Sequence, residues 1–378
     1  MSDNHLHIIA FDIPYPPNYG GVIDVWHKIR TLHAHGIKTL LHCFEYQGRE
    51  RSNKLNEYCE AVYYYPRKTG LRQAVSGKPY IIISRKSELL MERLLKDDHP
   101  ILFEGLHSCY YLTDKRLKGR PLIYREANIE HHYYYHLFKT AANLYLKTYY
   151  LVESLKLKLF EKNIRHATAV AAVSDADKRY LESRYPQTRV ILLPCFHANE
   201  ELSSSSGKGD YILYHGNLEV PENENAAIFL LKKVFPGFRY RLVIAGMNPR
   251  QRLKRETEKL DNVSLLPNPS QKKMQQLVRD AHINLLVTFQ ATGLKLKLLN
   301  ALYQGRFALV NDQMVKGTYL KELCHIANTP EEIKETLHKL FEQSFNESHR
   351  KSREQVLDQY YANHTNADKL TALLYRPK

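Results

Sequence analysis

The chain has 378 residues, 43% hydrophobic and 25% charged, which excludes a disordered or fibrous protein and predicts two or more domains with buried cores. Lysine and arginine outnumber the acids 55 to 40, a formal net charge of +15, which favours anionic partners: nucleotides, phosphate-rich lipid surfaces or nucleic acid. Five scattered cysteines, Cys43, Cys59, Cys109, Cys195 and Cys324, form no CxxC pair, so neither a disulfide framework nor a zinc site is encoded and a cytoplasmic, reducing compartment is expected.

The opening residues MSDNHLHIIAFDI lack the features of a signal peptide. No apolar run approaches the roughly 18 residues of a spanning helix, so membrane contact is expected to be peripheral, on the inner face. Residues 7–13 (HIIAFDI) read as a strand and lead into the breaker-rich loop PYPPNYGG, which ends at Gly20 and Gly21. Val22, Val25, Trp26, Ile29 and Leu32 then recur at helical spacing before IKTLLHCF resumes strand character. This is a βαβ unit whose glycine turn opens a helix. Backbone amides and the helix dipole there can cradle a phosphate, although the same two glycines would serve a tight turn.

Apolar runs at 61–65, 100–103, 121–124 and 167–173 continue the alternation, as in an open α/β sheet. In FEGLHSCYY, Glu104 and His107 lie just beyond the strand at 100–103, where an imidazole can donate to an oxyanion or a sugar hydroxyl. In YREANIEHHYYYH, residues 124–136, the spacing is not that of HExxH, so hydroxyl recognition by Asn128 and Glu130 is expected rather than metal binding. Residues 137–165 read as one helix with six basic residues against two acids. It would lie on an anionic bilayer or, with the same letters, pack on the core.

The serine- and glycine-rich stretch 194–209 reads as a linker. Strands at 211–214, 241–245, 263–266, 284–288 and 307–311 follow, and only helical pattern remains beyond about 330. The expected organisation is an N-terminal domain, 1–193, a C-terminal domain, 210–345, and a final helix, 346–378. Within ATGLKLKLLNALYQG, Lys295 and Lys297 stand at a glycine-opened helix start, which suits a diphosphate. Two parallel sheets joined by a linker predict a crevice at the carboxyl ends of the strands.

PYPPNYGG, REANIEHHYY with a later AVSDAD, YHGNLEVPENENAA, VIAGMNP and TGLKLKLLNALYQGRFALVN occur in this order over nearly the whole chain. Together they resemble the family-4 type of GT-B glycosyltransferases. The resemblance implies an α/β GT-B fold of two Rossmann-like domains facing a central crevice. It also implies a nucleotide-sugar donor on the second domain, a glycan or lipid-linked acceptor on the first, a last helix returning to the first domain, and transfer with retention without metal or cofactor. By position, Gly20 and Gly21 would lie near the donor phosphate and His107 near the transferred sugar. Gly216 and Asn217 would form the first loop of the donor domain, and Lys295 and Lys297 would neutralise the diphosphate.

The family's paired acids fall at Thr292 and Asn300. Asn300 can bond ribose hydroxyls, more weakly than a carboxylate. That departure leaves open a GT-B relative without transferase activity, either a nucleotide-sugar epimerase or an inactive subunit. A nucleic-acid-binding protein would also explain the charge, but helix-turn-helix, RNP and zinc-finger signatures are missing, so no nucleic-acid partner is expected.

Overall fold

The structure, a computed structural model, describes residues 4–46, 48–289 and 296–375. They divide into two compact units, one of residues up to 198 together with those from 361 onward, the other of the described residues 199–360.

The first unit is built on seven strands: β1 (His5–Ala10), β2 (Lys38–Glu45), β3 (Ala61–Pro66), β4 (Ile101–Glu104), β5 (Leu122–Glu126), β6 (Ala169–Ala172) and β7 (Val190–Leu192). All pair in parallel, in the order β3-β2-β1-β4-β5-β6-β7. Alternate residues feed two cores: Ile9, Phe103 and Tyr124 enter one, while Ile8, Leu102 and Ile123 enter the other. Burial on both faces explains why these strands read as continuous apolar runs. The second core is closed by Val25, Trp26 and Ile29 of the helix Gly20–Ala34 and by Leu370 and Leu373 of the helix Asn363–Leu374. The strand order reverses between β1 and β4, so the loops after these two strands flank the switch point, where open α/β sheets bind ligands.

Four buried charges tie the helix Gly20–Ala34 to this sheet. Lys28 Nζ donates to Glu104 at 2.6 Å and to Asp24 at 3.3 Å. Arg125 donates to the same Asp24 from Nε at 3.3 Å and Nη2 at 3.2 Å. The Phe196 amide adds a 2.7 Å bond to Asp24. Burial alone would raise the Asp24 carboxyl, but the Arg125 and Lys28 charges more than offset it and hold the carboxyl below its ordinary range. Glu104, offered by the sequence as part of a site loop, is therefore taken up inside the fold.

The second unit carries six strands: β8 (Tyr211–Asn217), β9 (Arg241–Met247), β10 (Val263–Pro267), β11 (Ile283–Leu286), β12 (Phe307–Val310) and β13 (His325–Ile326). They are again parallel, ordered β10-β9-β8-β11-β12-β13. The reversal lies between β8 and β11, so the loop after β8 borders this sheet's switch point.

Three segments depart from their expected form. The single helix expected over 137–165 is two, Glu130–Thr140 and Leu144–Glu161, because Asn143 Oδ1 caps a new start by accepting from the Tyr145 amide at 2.8 Å and the Leu146 amide at 3.3 Å. The stretch 194–209 is no free linker. His197 is bound to Tyr361 and Asn363 in the first unit, whereas the Ser203 amide donates to Tyr303 and Gly207 pairs with Phe345 in the second. The return to the first unit begins at residue 361 rather than 346. The helix Glu347–Tyr360 stays with the second unit, where buried Arg353 donates to the carbonyls of Leu302, Gly305 and Arg306.

Candidate functional site

In the first unit, the ends of β1, β3 and β4 meet the segment 80–85 and the helices Glu130–Thr140 and Leu144–Glu161. Together they line a cavity of about 440 Å³, bordered by Phe11, Asp12, Arg67, Arg85, His107 and five tyrosines: Tyr19, Tyr46, Tyr80, Tyr134 and Tyr149. Gly105 turns the chain out of β4 with φ of 70°, the left-handed conformation glycine tolerates. Two residues on, His107 packs its ring 5.4 Å from that of Phe11. Its Nδ1 lies 3.9 Å from Glu130 Oε1, beyond hydrogen-bond distance, and has no hydrogen-bond partner among the described residues.

Burial, together with the charges of Arg85 and Arg67, holds the His107 imidazole well below its ordinary value. Burial pushes Glu130 up to about 8, against the opposing pull of Arg85. At neutral pH the imidazole is uncharged and the carboxyl carries its proton, so each can donate or accept.

Asp12 is already committed: its carboxylate accepts from Tyr19 Oη at 2.6 Å and the Ile13 amide at 2.8 Å, with Arg49 Nε at 3.8 Å. The two glycines of the neighbouring turn differ. A Cβ on Gly21 would stand 2.4 Å from the Phe11 ring, whereas one on Gly20 would meet nothing within 4 Å. Gly21 is thus required by packing, and Gly20 lies open at the helix start. Glu130 is not among the residues lining this cavity, and neither is Asn128. Its amide donates to Glu126 Oε1 at 2.7 Å, and Glu126 is bonded to Tyr124 Oη at 2.5 Å.

In the second unit, Gly216 and Asn217 end β8 beside Asn223 of the helix Pro221–Phe229. Asn223 Nδ2 donates to the Asn217 carbonyl at 3.0 Å, and Asn217 Oδ1 accepts from the Glu219 amide at 3.1 Å. Lys297 Nζ donates to Asn223 Oδ1 at 3.0 Å and stands 5.3 Å from the centre of the Tyr214 ring. A Cβ on Gly216 would lie 3.2 Å from the Asn223 carboxamide carbon. Burial and the Lys297 charge push the adjacent His215 down to about 3, so it stays neutral.

The fold thus gathers Gly216, Asn217 and Lys297 around Asn223. Lys295 and Thr292 lie outside the described residues. The Asn300 Oδ1 accepts from Asn199 Nδ2 at 2.8 Å, and Asn199 Oδ1 in turn accepts from Gln304 at 2.5 Å. The carboxamide therefore also anchors the segment entering this unit.

Sequence reading passed over Arg67, Arg85 and Asn223. Arg67 directly follows the strand AVYYYP, a strand-end position of the kind that located His107. Asn223 sits in PENENAA at the start of a helix following a strand. Arg85 follows a short helix, Tyr80–Ile83, and carried no such signal.

Solved structures similar to this chain include TarM from S. aureus, with a TM-score of 0.71 at 10% identity over 98% of each chain. An E. coli trehalose-6-phosphate structure bound with UDP-2-fluoro glucose gives 0.62 at 12% identity, over 99% of this chain and 100% of that one. Sucrose-phosphate synthase from Thermosynechococcus elongatus gives 0.60 at 12% identity, over 97% and 94%. The chain therefore has the GT-B glycosyltransferase fold, α/β with two Rossmann-like units. In sequence it is 24% identical over 330 residues to an uncharacterised 44.6 kDa protein in the cps region of Klebsiella pneumoniae, covering 82% of this chain and 84% of the other. No family model matches it.

Proposed function

We propose that the protein is a family-4-type glycosyltransferase that moves a sugar from a nucleotide-sugar donor to a glycan or lipid-linked acceptor, with retention of configuration. The observation that carries this reading is the corner after β8, where Lys297 is held 3.0 Å from Asn223 beside Gly216 and Asn217. Among structures of the same fold, S. aureus TarM has been seen with UDP and the E. coli structure with a UDP-sugar.

In the proposed reaction the bond from the anomeric carbon to the diphosphate breaks, its electron pair leaves with the diphosphate, and an acceptor hydroxyl forms the new bond and gives up its proton to the departing diphosphate oxygen. Lys297, with Lys295, offsets the charge that grows on the leaving diphosphate, the role a metal would otherwise fill. Gly216 and Asn217 offer backbone close to it, and Gly20 and Gly21 bring a helix N-terminus to the donor phosphate. Neutral His107 bonds a hydroxyl of the transferred sugar, Glu130 and Asn128 orient the acceptor, and Asn300 bonds the ribose.

The cps-region relative supports a place in polysaccharide synthesis. Among the described residues no helix is long and apolar enough to cross a membrane. The helix Leu144–Glu161 instead buries Glu153, Ser154, Leu157 and Glu161 and exposes Tyr145, Val152, Leu155 and Leu159. With exposed Lys158 and Lys162 close by, that face supports peripheral binding to an anionic bilayer.

One observation favours a second reading, a GT-B relative without transferase activity. Asn300 offers no carboxylate, and its carboxamide oxygen is engaged by Asn199. Thermal shift across a panel of nucleotide-sugars, followed by release of nucleoside diphosphate with and without acceptor, separates the two. A donor that raises the melting temperature and is turned over supports the transferase, and binding without turnover supports the second reading.

A further inference from the structure

We propose that the cavity of the first unit is an anion subsite in which Arg67 and Arg85 hold a phosphate group carried by the acceptor. This rests on the glycosyltransferase reading and narrows its acceptor to a phosphate ester or diphosphate.

Arg85 is 3% exposed, and it donates to neutral groups: Nε to the Phe11 carbonyl at 3.0 Å and Nη1 to the Ile81 carbonyl at 2.6 Å. Arg67 donates from Nε to Ser84 Oγ at 2.9 Å and stacks over the rings of Tyr46 at 4.0 Å and Tyr80 at 5.5 Å. None of these partners is an anion.

The carboxylates nearby do not fill that role. Asp12 is bound by Tyr19, the Ile13 amide and Arg49. Glu130, pushed up to about 8 by burial, is uncharged at neutral pH. Burial, with the Arg67 charge beside it, pushes even the Arg85 guanidinium down to about 9. The Asp12 charge pulls the other way, but it is shared with Tyr19 and Arg49 and does not offset burial and Arg67. A buried cation so weakly compensated is costly to the fold, and a ligand anion would relieve that cost. Guanidinium groups match phosphate oxygens in bidentate fashion, and the tyrosine hydroxyls lining the cavity add neutral donors.

The walls point to where such a phosphate would come from. Tyr80 and Tyr149 belong to two segments joined by Lys156 Nζ, which donates to the Ala74 carbonyl at 3.4 Å, and by the Tyr80 amide, which donates to Glu153 at 2.6 Å. Outside the cavity the same two segments expose Leu71 at 85%, Val75 at 82%, Leu155 at 56% and Leu159 at 65%. A lipid phosphate could place its head at the arginines and its tail along these residues. A soluble sugar phosphate would use the arginines alone.

The test titrates inorganic pyrophosphate by calorimetry into the full-length wild type, Arg67→Gln and Lys297→Ala, each with its donor site filled by saturating UDP, and with UDP affinity measured separately as the readout of the donor reading. Arg67 is half-buried, with a hydrogen bond to Ser84 and ring contacts with Tyr46 and Tyr80, so Arg67→Gln is expected to lower the melting temperature by no more than a few degrees and to keep the wild-type UDP affinity. The expected result is pyrophosphate binding weakened at least about tenfold in Arg67→Gln and unchanged in Lys297→Ala. No binding by wild type, or loss in Lys297→Ala with none in Arg67→Gln, overturns the subsite whatever UDP does. Farnesyl diphosphate and glucose 6-phosphate separate the sources. If the former binds tighter with the same dependence on Arg67, the subsite serves a lipid phosphate; if the latter does, it serves a sugar phosphate.

Discussion

Replacing Lys28 with methionine tests how the helix that opens at Gly20 is held on its sheet. Methionine keeps most of the volume of the side chain, so the perturbation is the charge. Lys28 is fully buried and contacts both Glu104, at 2.6 Å, and Asp24, at 3.3 Å. Asp24 keeps Arg125 at 3.2 Å and the Phe196 amide, but Glu104 loses its short partner. Breaking a buried pair from one side costs about 3–5 kcal/mol, because the abandoned charge stays out of water. At roughly 2–4 °C per kcal/mol for a unit of this size, the melting transition of the first unit should fall by about 6–20 °C.

The cost should also depend on pH. Burial already raises the Glu104 carboxyl, against the lowering pull of Lys28, and removal of Lys28 raises it further. Above the unfolded value of about 4.3, a raised folded carboxyl loses stability as pH rises, so the deficit is smaller at pH 5 than at pH 8. Adding Glu104→Gln should restore more than half of the loss at pH 8, since the double variant leaves no orphaned charge. Calorimetric melting of the four proteins of the cycle at both pH values provides the measurement. A Lys28→Met protein within about 1 kcal/mol of wild type, or a double variant no more stable than Lys28→Met, would refute the reasoning.

Lys297→Ala should weaken UDP binding by roughly 10- to 150-fold, the range of a charge-assisted contact worth about 1.5–3 kcal/mol, as read by calorimetric titration. His107→Ala should lower turnover of bound donor while leaving donor affinity within about twofold, as separated by single-turnover kinetics. Glu130→Gln should flatten the pH dependence of stability: with its folded value at about 8 and its unfolded value near 4.3, Glu130 loses stability for the wild type as pH rises between the two. The variant should therefore gain on wild type by about a few kcal/mol from pH 5 to pH 8 in paired melts. Co-sedimentation with anionic vesicles should fall at high salt and in Lys158→Glu plus Lys162→Glu, whose lysines are exposed, whereas Lys156 is held by Glu153 at 2.9 Å.

What could be read in the sequence follows from periodicity and position. β1, β4, β5 and β8 were legible at 7–13, 100–103, 121–124 and 211–214, the first read three residues too far, because parallel strands buried on both faces are apolar throughout. His107 was legible as a candidate because it follows such a strand, whereas Gly216 and Asn217, which end β8, came only from the family resemblance. Long-range pairing was not legible. Glu104 stands two residues past Leu102 like a site residue, yet Lys28, 76 positions earlier, claims it. Arg67, Arg85, Tyr134 and Tyr149 come to one cavity from four separate segments, and no local pattern ties them together. The split of 137–165 turned on a single capping asparagine, Asn143, and the serine-rich stretch 194–209 reads as a linker by composition although its amides pair with both units.

The central claim is that this chain turns over a nucleotide-sugar, and the most direct measurement is release of nucleoside diphosphate from a panel of such donors by wild type and Lys297→Ala, at donor concentrations below saturation. The account predicts that at least one donor is consumed by wild type, and that Lys297→Ala consumes it at least about tenfold more slowly. Release from no donor, or equal release by the two proteins, would contradict it.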